Sequence, residues 1–334
     1  MQNTVSVEKR LLKEAERLHE NMRHLGYSMN ECLLFAPQTL RINELKGQKN
    51  AVLLAHSYQR PEILFGVADF MGDSFGLSVN ASETKAKTIV FCGVHFMAET
   101  AKILNPQKTV LIPALDAGCS LAESITAENV IELKKKHPNV PVVCYVNTSA
   151  QVKAQCDACC TSANALKVVE AMPGNEVIFL PDEYMARNLQ EKTKKKIHYW
   201  NGTCIVHESF TADQILAYKA SFPDMKILSH LECTPEVVAL SDLAGGTTDM
   251  YNYIKASDAK RFMLVTECGM SDLLRARFPQ KEFINPCSVC PYMKKIHLEN
   301  ILEALEKEQF EVNVPEPILS RAKVSLDRML EIGK

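Results

Sequence analysis

Cys119, Cys204 and Cys290 stand 85 and 86 residues apart. Three soft thiolates at one repeated station point to a soft metal held where three similar modules meet. Such a set could hold an iron–sulfur cluster, or zinc with a fourth ligand. A four-iron cluster with three protein thiolates leaves one iron open, and an open iron can act as a Lewis acid toward a hydroxyl or carboxylate. Zinc held by three cysteines and a histidine would be closed and structural. His207, three residues past Cys204, is the rival fourth ligand. Two further groups compete: C-x-x-C-C at 156–160 and C-x-x-C at 287–290. Zinc knuckles normally lie much closer together than these two, so spacing favours the three-station iron–sulfur reading.

The elements that must position these thiols recur in order. A first apolar strand ends in polar residues at AVLLAHSYQ (51–59), VVCYVNTSA (142–150) and KILSHLECT (226–234). His56, Asn147 and His230 follow as the equivalent polar stations. A second apolar strand runs into a helix at 88–104, 176–189 and 261–278, and an extended segment carrying the cysteine closes each unit. Continuous apolar runs alternating with helical segments predict parallel sheets covered by helices. The expected fold class is therefore α/β: three pseudo-threefold-related α/β/α (Rossmann-like) modules around a central iron–sulfur cluster. The modules span 47–124, 138–212 and 223–295. Helical segments 1–46 and 296–334 wrap them, and 134–141 and 218–226 serve as linkers. Ligands of such modules sit at the carboxyl ends of the strands, where all the polar signatures fall.

Composition narrows the function. The chain has 334 residues, 46% of them hydrophobic, enough for several cores. A formal net charge of −2 implies no general attraction to nucleic acid or anionic membrane. The charged amphipathic start lacks a secretory apolar core, and no stretch is long enough to span a bilayer, so a cytoplasmic protein is expected. Among the 12 cysteines, Cys32, Cys92 and Cys144 read as small buried hydrophobes, and a disulfide framework is not expected in a reducing compartment.

The chain resembles the quinolinate synthase (quinolinate synthetase A) family of NAD biosynthesis. The resemblance runs from about Ala51 to Lys295. It rests on AHSYQRPEI, MGDS, FCGVHFMAETAKILNP, AGCSLAE, CYVNTSAQVKA, CCTSANA, FLPDEYMA, WNGTCIVHE, HLEC, GGTTDM and CPYMKK, in that order. It implies one [4Fe-4S] cluster per chain on Cys119, Cys204 and Cys290. It also implies condensation of iminoaspartate with dihydroxyacetone phosphate to quinolinate, phosphate and two waters. His56, Tyr58, Tyr145, Asn147, His230 and Glu232 are then catalytic. Ser74, Val146, Ser162, His207, Leu231 and Thr247 join His56, Tyr145, Asn147, His230 and Glu232 in holding substrate. For Ser74, Ser162 and Thr247, N-capping of a helix is the competing role. An aspartate-oxidising enzyme would supply the unstable imine, and iron–sulfur assembly machinery would load the cluster.

In role, Tyr58 and His56 are expected to handle the triose phosphate and its isomerisation. Tyr145 and Asn147 would orient the iminoaspartate-derived part, and Glu232, with His230, would be the general base of ring closure. The sequence departs from the family pattern at Ser57, Leu231 and Gly246, the last in place of a usual Ser, and adds Cys287. Lys294 and Lys295 read as a solvated helix start. Two other classes stay open on the residues: a zinc-stabilised scaffold, which would tolerate loss of Tyr58, Tyr145 and Glu232, and another iron–sulfur hydro-lyase. Redox roles of Cys156, Cys159, Cys160 and Cys287 are not legible.

Overall fold

In a computed structural model describing residues 2–333, three four-stranded parallel sheets form the frame. The first holds β1 (Ala51–His56), β2 (Phe70–Gly72), β3 (Thr88–Cys92) and β4 (Thr109–Leu111). The second holds β5 (Val142–Tyr145), β6 (Ala158–Cys160), β7 (Glu176–Leu180) and β8 (Lys196–Tyr199). The third holds β9 (Lys226–His230), β10 (Leu243–Gly245), β11 (Arg261–Val265) and β12 (Glu282–Ile284). Each has the order second-first-third-fourth, so the chain reverses its winding beside the first strand of every module. That reversal opens a crevice at the carboxyl ends of the strands, the place where such sheets bind ligands. β1, β5 and β9 are buried along nearly their whole length, as parallel strands covered on both faces must be.

Register makes the repeat concrete. His56 pairs with Gly72, Tyr145 with Cys160 and His230 with Gly245. The equivalent stations are thus His56, Tyr145 and His230, followed two residues on by Tyr58, Asn147 and Glu232. The sequence reading that aligned Asn147 with the two histidines was out by two residues, because β5 ends at Tyr145.

The terminal segments are helical. Met29–Gln48, capped by a reciprocal Ser28–Glu31 box, lies against Gln2–Met22, β1 and the helix Leu298–Lys307. Beyond that last helix the chain bonds antiparallel to β4, with Ile112 N–H donating to Phe310 O and Val312 N–H to Val110 O. The final helix, Ile318–Gly333, packs on β6 and on the short helix Ala150–Lys153 of the second module. The segments between modules also carry helices, Ala127–Lys136 and Ala212–Ser221, so the expected linkers are only their exits. No helix among the described residues is long and apolar enough to cross a membrane.

The modules meet closely at their strand ends. Asn188 Nδ2 of the second donates to Leu231 O and Cys233 O of the third, both at 2.9 Å. Ser120 Oγ of the first donates to Thr203 O of the second at 3.1 Å. A side chain at Gly202 would collide with Ser124 of the first module, and one at Gly269 of the third would meet Tyr58 O of the first at 2.6 Å. Only glycine allows these approaches.

Candidate active site

The three cysteine stations share one backbone design. Each sulfur is followed by a single helical turn: Cys119 O accepts Glu123 N–H at 3.0 Å, Cys204 O accepts Glu208 N–H at 2.9 Å, and Cys290 O accepts Lys294 N–H at 3.2 Å. The N–H groups two and three residues on then face the sulfur: Leu121 and Ala122, Val206 and His207, Tyr292 and Met293. Burial pushes all three thiols up, Cys119 to about 12, and these N–H groups oppose that shift. Sulfur that must carry negative charge on a metal gains from such donors.

All three sulfurs line one cavity at the junction of the modules, with about 690 Å³ of atom-free space counted out to solvent. His56, Tyr58, Ser74, Tyr145, Asn147, Ser162, His207, His230, Glu232 and Thr247 line it as well. Val146 and Leu231 do not. They are buried beside it, with their carbonyls spent on Thr148 N–H and Asn188 Nδ2. Cys156, Cys159 and Cys160 lie elsewhere: Cys159 Sγ is 3.5 Å from Cys144 Sγ and 3.3 Å from Ser325 Oγ under the last helix. Cys32, Cys92 and Cys144 are buried as expected.

A chain of hydrogen bonds converges on Glu232. Tyr145 Oη donates to Oε1 at 2.5 Å, and His207 Nδ1 lies 2.9 Å from Oε2. His207 Nε2 lies 3.0 Å from Thr266 Oγ1, which is 2.7 Å from Tyr58 Oη. With Nδ1–H donated to Glu232, Nε2 must accept from Thr266, and Tyr58 then donates to Thr266. The polarity is fixed from Tyr58 to Glu232. Burial opposes charge on Glu232, but His230 and His207, with the bonds from His207 and Tyr145, outweigh it and hold the carboxyl well below its usual range. Burial and the Glu232 charge push both phenols well above theirs, so Tyr58 and Tyr145 stay protonated. Sequence reasoning missed Thr266, whose role depends on contact with Tyr58 across 208 positions of chain.

His56 and His230 are held alike. Each Nδ1 accepts the N–H two residues on, Tyr58 at 3.2 Å and Glu232 at 3.3 Å, which leaves the proton on Nε2. His207 and His230 stack with ring centroids 4.4 Å apart. Burial lowers His56 to about 3 and His230 to about 4, with His230 and Lys294 adding to the shift at His56 and His207 to that at His230. Unfolded, both would bind a proton near pH 6.5. The unfolded chain therefore holds more protons once pH falls below that value, and stability drops with pH. At pH 5.5 the loss is about 1.4 kcal/mol per histidine relative to pH 7.5. Thermal unfolding under nitrogen should show a clearly lower Tm at pH 5.5, and His56→Gln should remove about half of the slope. A Tm constant over that range would contradict this burial of neutral imidazoles.

None of the three hydroxyls caps the helix beside it. Asp73 caps the helix Ser74–Glu83 through Gly76 N–H at 2.7 Å, whereas Asn164, at the start of the helix Ala165–Ala171, makes no capping bond and its Oδ1 instead accepts Thr161 N–H at 2.7 Å. Asp249 Oδ2 accepts Gly246 N–H at 2.8 Å at the start of Thr247–Ala256. Thr247 Oγ1 and Asn147 Oδ1 are buried without a protein partner among the described residues. A side chain at Gly246 would meet Ser162 Oγ at 2.7 Å, so the missing hydroxyl at 246 leaves room for that of Ser162.

Two expectations need correcting. Lys294 is not solvated: its ammonium pairs with the fully buried Glu267 at 3.1 Å and donates to Tyr58 O, which ties the third cysteine turn to the first module. Lys295 does face solvent, paired with Asp116 at 2.6 Å. Although no disulfide framework was expected, Cys268 and Cys287 are bonded, with Cα atoms 5.2 Å apart. The loops after β11 and β12 run side by side there, with Cys268 N–H donating to Ser288 O at 3.1 Å.

The donor set separates a cluster from a single ion. Cys204, His207 and Glu232 offer ligand atoms all within 4.8 Å of one another, the one such group among the described residues. Both His207 nitrogens are already engaged, however, with Glu232 and Thr266. The three thiols are not gathered that tightly, as suits sulfurs bound to separate irons rather than to one zinc. The donor set fits a cluster with three protein ligands.

Three parallel α/β modules closing on a thiol-lined cavity with a buried carboxylate–imidazole–phenol network define a three-module α/β protein built for chemistry on small polar molecules. Residues 40–331 match the family model described as quinolinate synthetase A protein. The chain is 53% identical over 291 residues to the quinolinate synthase of Xylella fastidiosa strain Temecula1, covering 87% of this chain and 86% of that one. It is 48% identical to that of Sinorhizobium medicae over 96% of this chain and 89% of the relative, and 51% identical to that of Agrobacterium fabrum over 90% and 88%. The chain belongs to the quinolinate synthetase A family.

Proposed function

We propose that this chain condenses iminoaspartate with dihydroxyacetone phosphate to give quinolinate, phosphate and two waters, in NAD biosynthesis. The observation that carries the reading is the thrice-repeated sulfur turn facing the Glu232 network in one cavity. Cys119, Cys204 and Cys290 would hold a [4Fe-4S] cluster. Such a cluster supplies a Lewis-acidic iron able to take a hydroxyl that leaves as water.

The other steps fall to side chains. The helices Ser74–Glu83 and Thr247–Ala256 begin at the cavity, and with Ser74, Ser162 and Thr247 they offer N–H and O–H groups to phosphate and carboxylates. His56, neutral with its proton on Nε2, donates to an oxygen of the triose phosphate during isomerisation, while Tyr58, whose own proton goes to Thr266, accepts from a hydroxyl of the same ligand. Asn147 Oδ1 is free to accept from the imine nitrogen, and Tyr145 orients the dicarboxylate beside it. Glu232, ionised at neutral pH, takes the carbon-bound proton that must leave before ring closure. The hydrogen bonds run from Tyr58 through Thr266 and His207 to Glu232, so a proton taken from a ligand hydroxyl at Tyr58 Oη can be passed along to Glu232. An aspartate-oxidising enzyme would supply the imine, and assembly machinery the cluster; the protein would act in the cytoplasm.

The direct test is quinolinate formation by anaerobically loaded protein from enzymatically generated iminoaspartate and dihydroxyacetone phosphate; absence of product from protein with a full cluster would sink the reading. Thr266→Val removes the relay hydroxyl without changing shape. It should lower kcat by roughly 10- to 100-fold with KM and iron content unchanged. Wild-type kcat in that variant would take Thr266 out of the proton path.

A further inference from the structure

Lys153 is among the largest side chains buried without residual exposure, and it lies behind Phe96, which lines the cavity. Its ammonium donates to Val146 O at 2.8 Å and to Thr148 O, and it sits 5.3 Å from the centroid of Phe96, a residue that lines the cavity. Among the described residues no carboxylate lies within ion-pair distance of it. A buried cation satisfied only by carbonyls and a ring is costly to keep, and a hydrophobic side chain would fill the space at less expense.

The two carbonyls flank Asn147. Thr148 N–H donates to Val146 O at 2.8 Å, which bends the chain into a three-residue turn with Asn147 at its centre. The amide N–H of Asn147 makes no hydrogen bond within the protein among the described residues. In a trans peptide that N–H points opposite to Val146 C=O. The carbonyl faces the buried ammonium, so the N–H faces the other way. Pulling on the carbonyl oxygen polarises the whole peptide group and makes its N–H a stronger donor.

We propose that Lys153 is a positioning residue of the substrate site, holding the Asn147 turn so that its polarised backbone N–H and its amide side chain receive a carboxylate of the dicarboxylate ligand. This supplies the influence of a full cation to a site whose lining offers few, without placing the ammonium in contact with the ligand. The inference rests on the proposed condensation.

The test is calorimetric binding of quinolinate to cluster-loaded wild type, Lys153→Met and Lys153→Gln, with the kinetic constants for the same three proteins. Lys153→Met should bind quinolinate about tenfold more weakly, with KM for the imine raised more than kcat is lowered. Lys153→Gln, which keeps a neutral donor, should fall between. Equal binding by wild type and a folded Lys153→Met would overturn the proposal. So would loss of the fold in both variants, since the lysine would then be a structural cation. Wild-type protein that makes and binds no quinolinate would overturn the functional reading instead, and the role of the lysine with it.

Discussion

Glu232→Gln should cut quinolinate formation by about a thousandfold or more while leaving the fold and the iron content intact. The substitution preserves size and can still accept Tyr145 O–H through its remaining oxygen. It cannot accept a proton. It also offers an NH₂ group to His207 Nδ1, now 2.9 Å from a carboxylate oxygen. That imidazole would have to switch tautomer, accepting at Nδ1 and donating from Nε2 to Thr266. The hydrogen-bond polarity toward Tyr58 would reverse along with it. One change would thus remove the base and invert the relay behind it. Single-turnover assays on protein of matched iron content measure this, and near-normal turnover would remove Glu232 from the chemistry.

Replacing any one of Cys119, Cys204 or Cys290 by Ala should abolish the iron–sulfur chromophore and lower activity by at least about a thousandfold. Three ligands on four irons leave one open, and with two a second iron would lose its protein ligand, so two cannot hold the same centre. Cys156→Ala provides the contrast. Its sulfur donates to Val152 O at 3.1 Å, outside the cavity lining, and its loss should leave the iron content unchanged. Iron retained by Cys204→Ala and lost from Cys156→Ala would assign the centre to the other group of thiols.

Much of this was legible because it repeats. The three cysteines, the strand–helix order and the polar strand ends recur at one period, and period alone pointed to a shared cavity. The fold class and family stand as expected. Alignment within the period failed at Asn147, since β5 ends at Tyr145 and only the pairing with Cys160 fixes the register. A capping role for Ser74, Ser162 and Thr247 could not be set aside from sequence, because it turns on which residue stands at each helix start, and those residues are Asp73, Asn164 and Gly246. Thr266, Lys153 and Lys294 carried no signal. Thr266 acts through contacts distant in the chain, Lys153 through two backbone carbonyls, and Lys294 through a buried carboxylate that its basic neighbour Lys295 disguises as solvated charge. The Cys268–Cys287 bond was equally hidden, since adjacency of the β11 and β12 loops is a property of the sheet.

The central claim is that one sulfur from each module holds a cluster at their junction. It is tested most directly by iron, acid-labile sulfide and zinc content of protein purified without oxygen. About four irons and four sulfides per chain, with no zinc, is the predicted result. Stoichiometric zinc without sulfide in protected protein would contradict it and leave a closed structural site in place of a catalytic one.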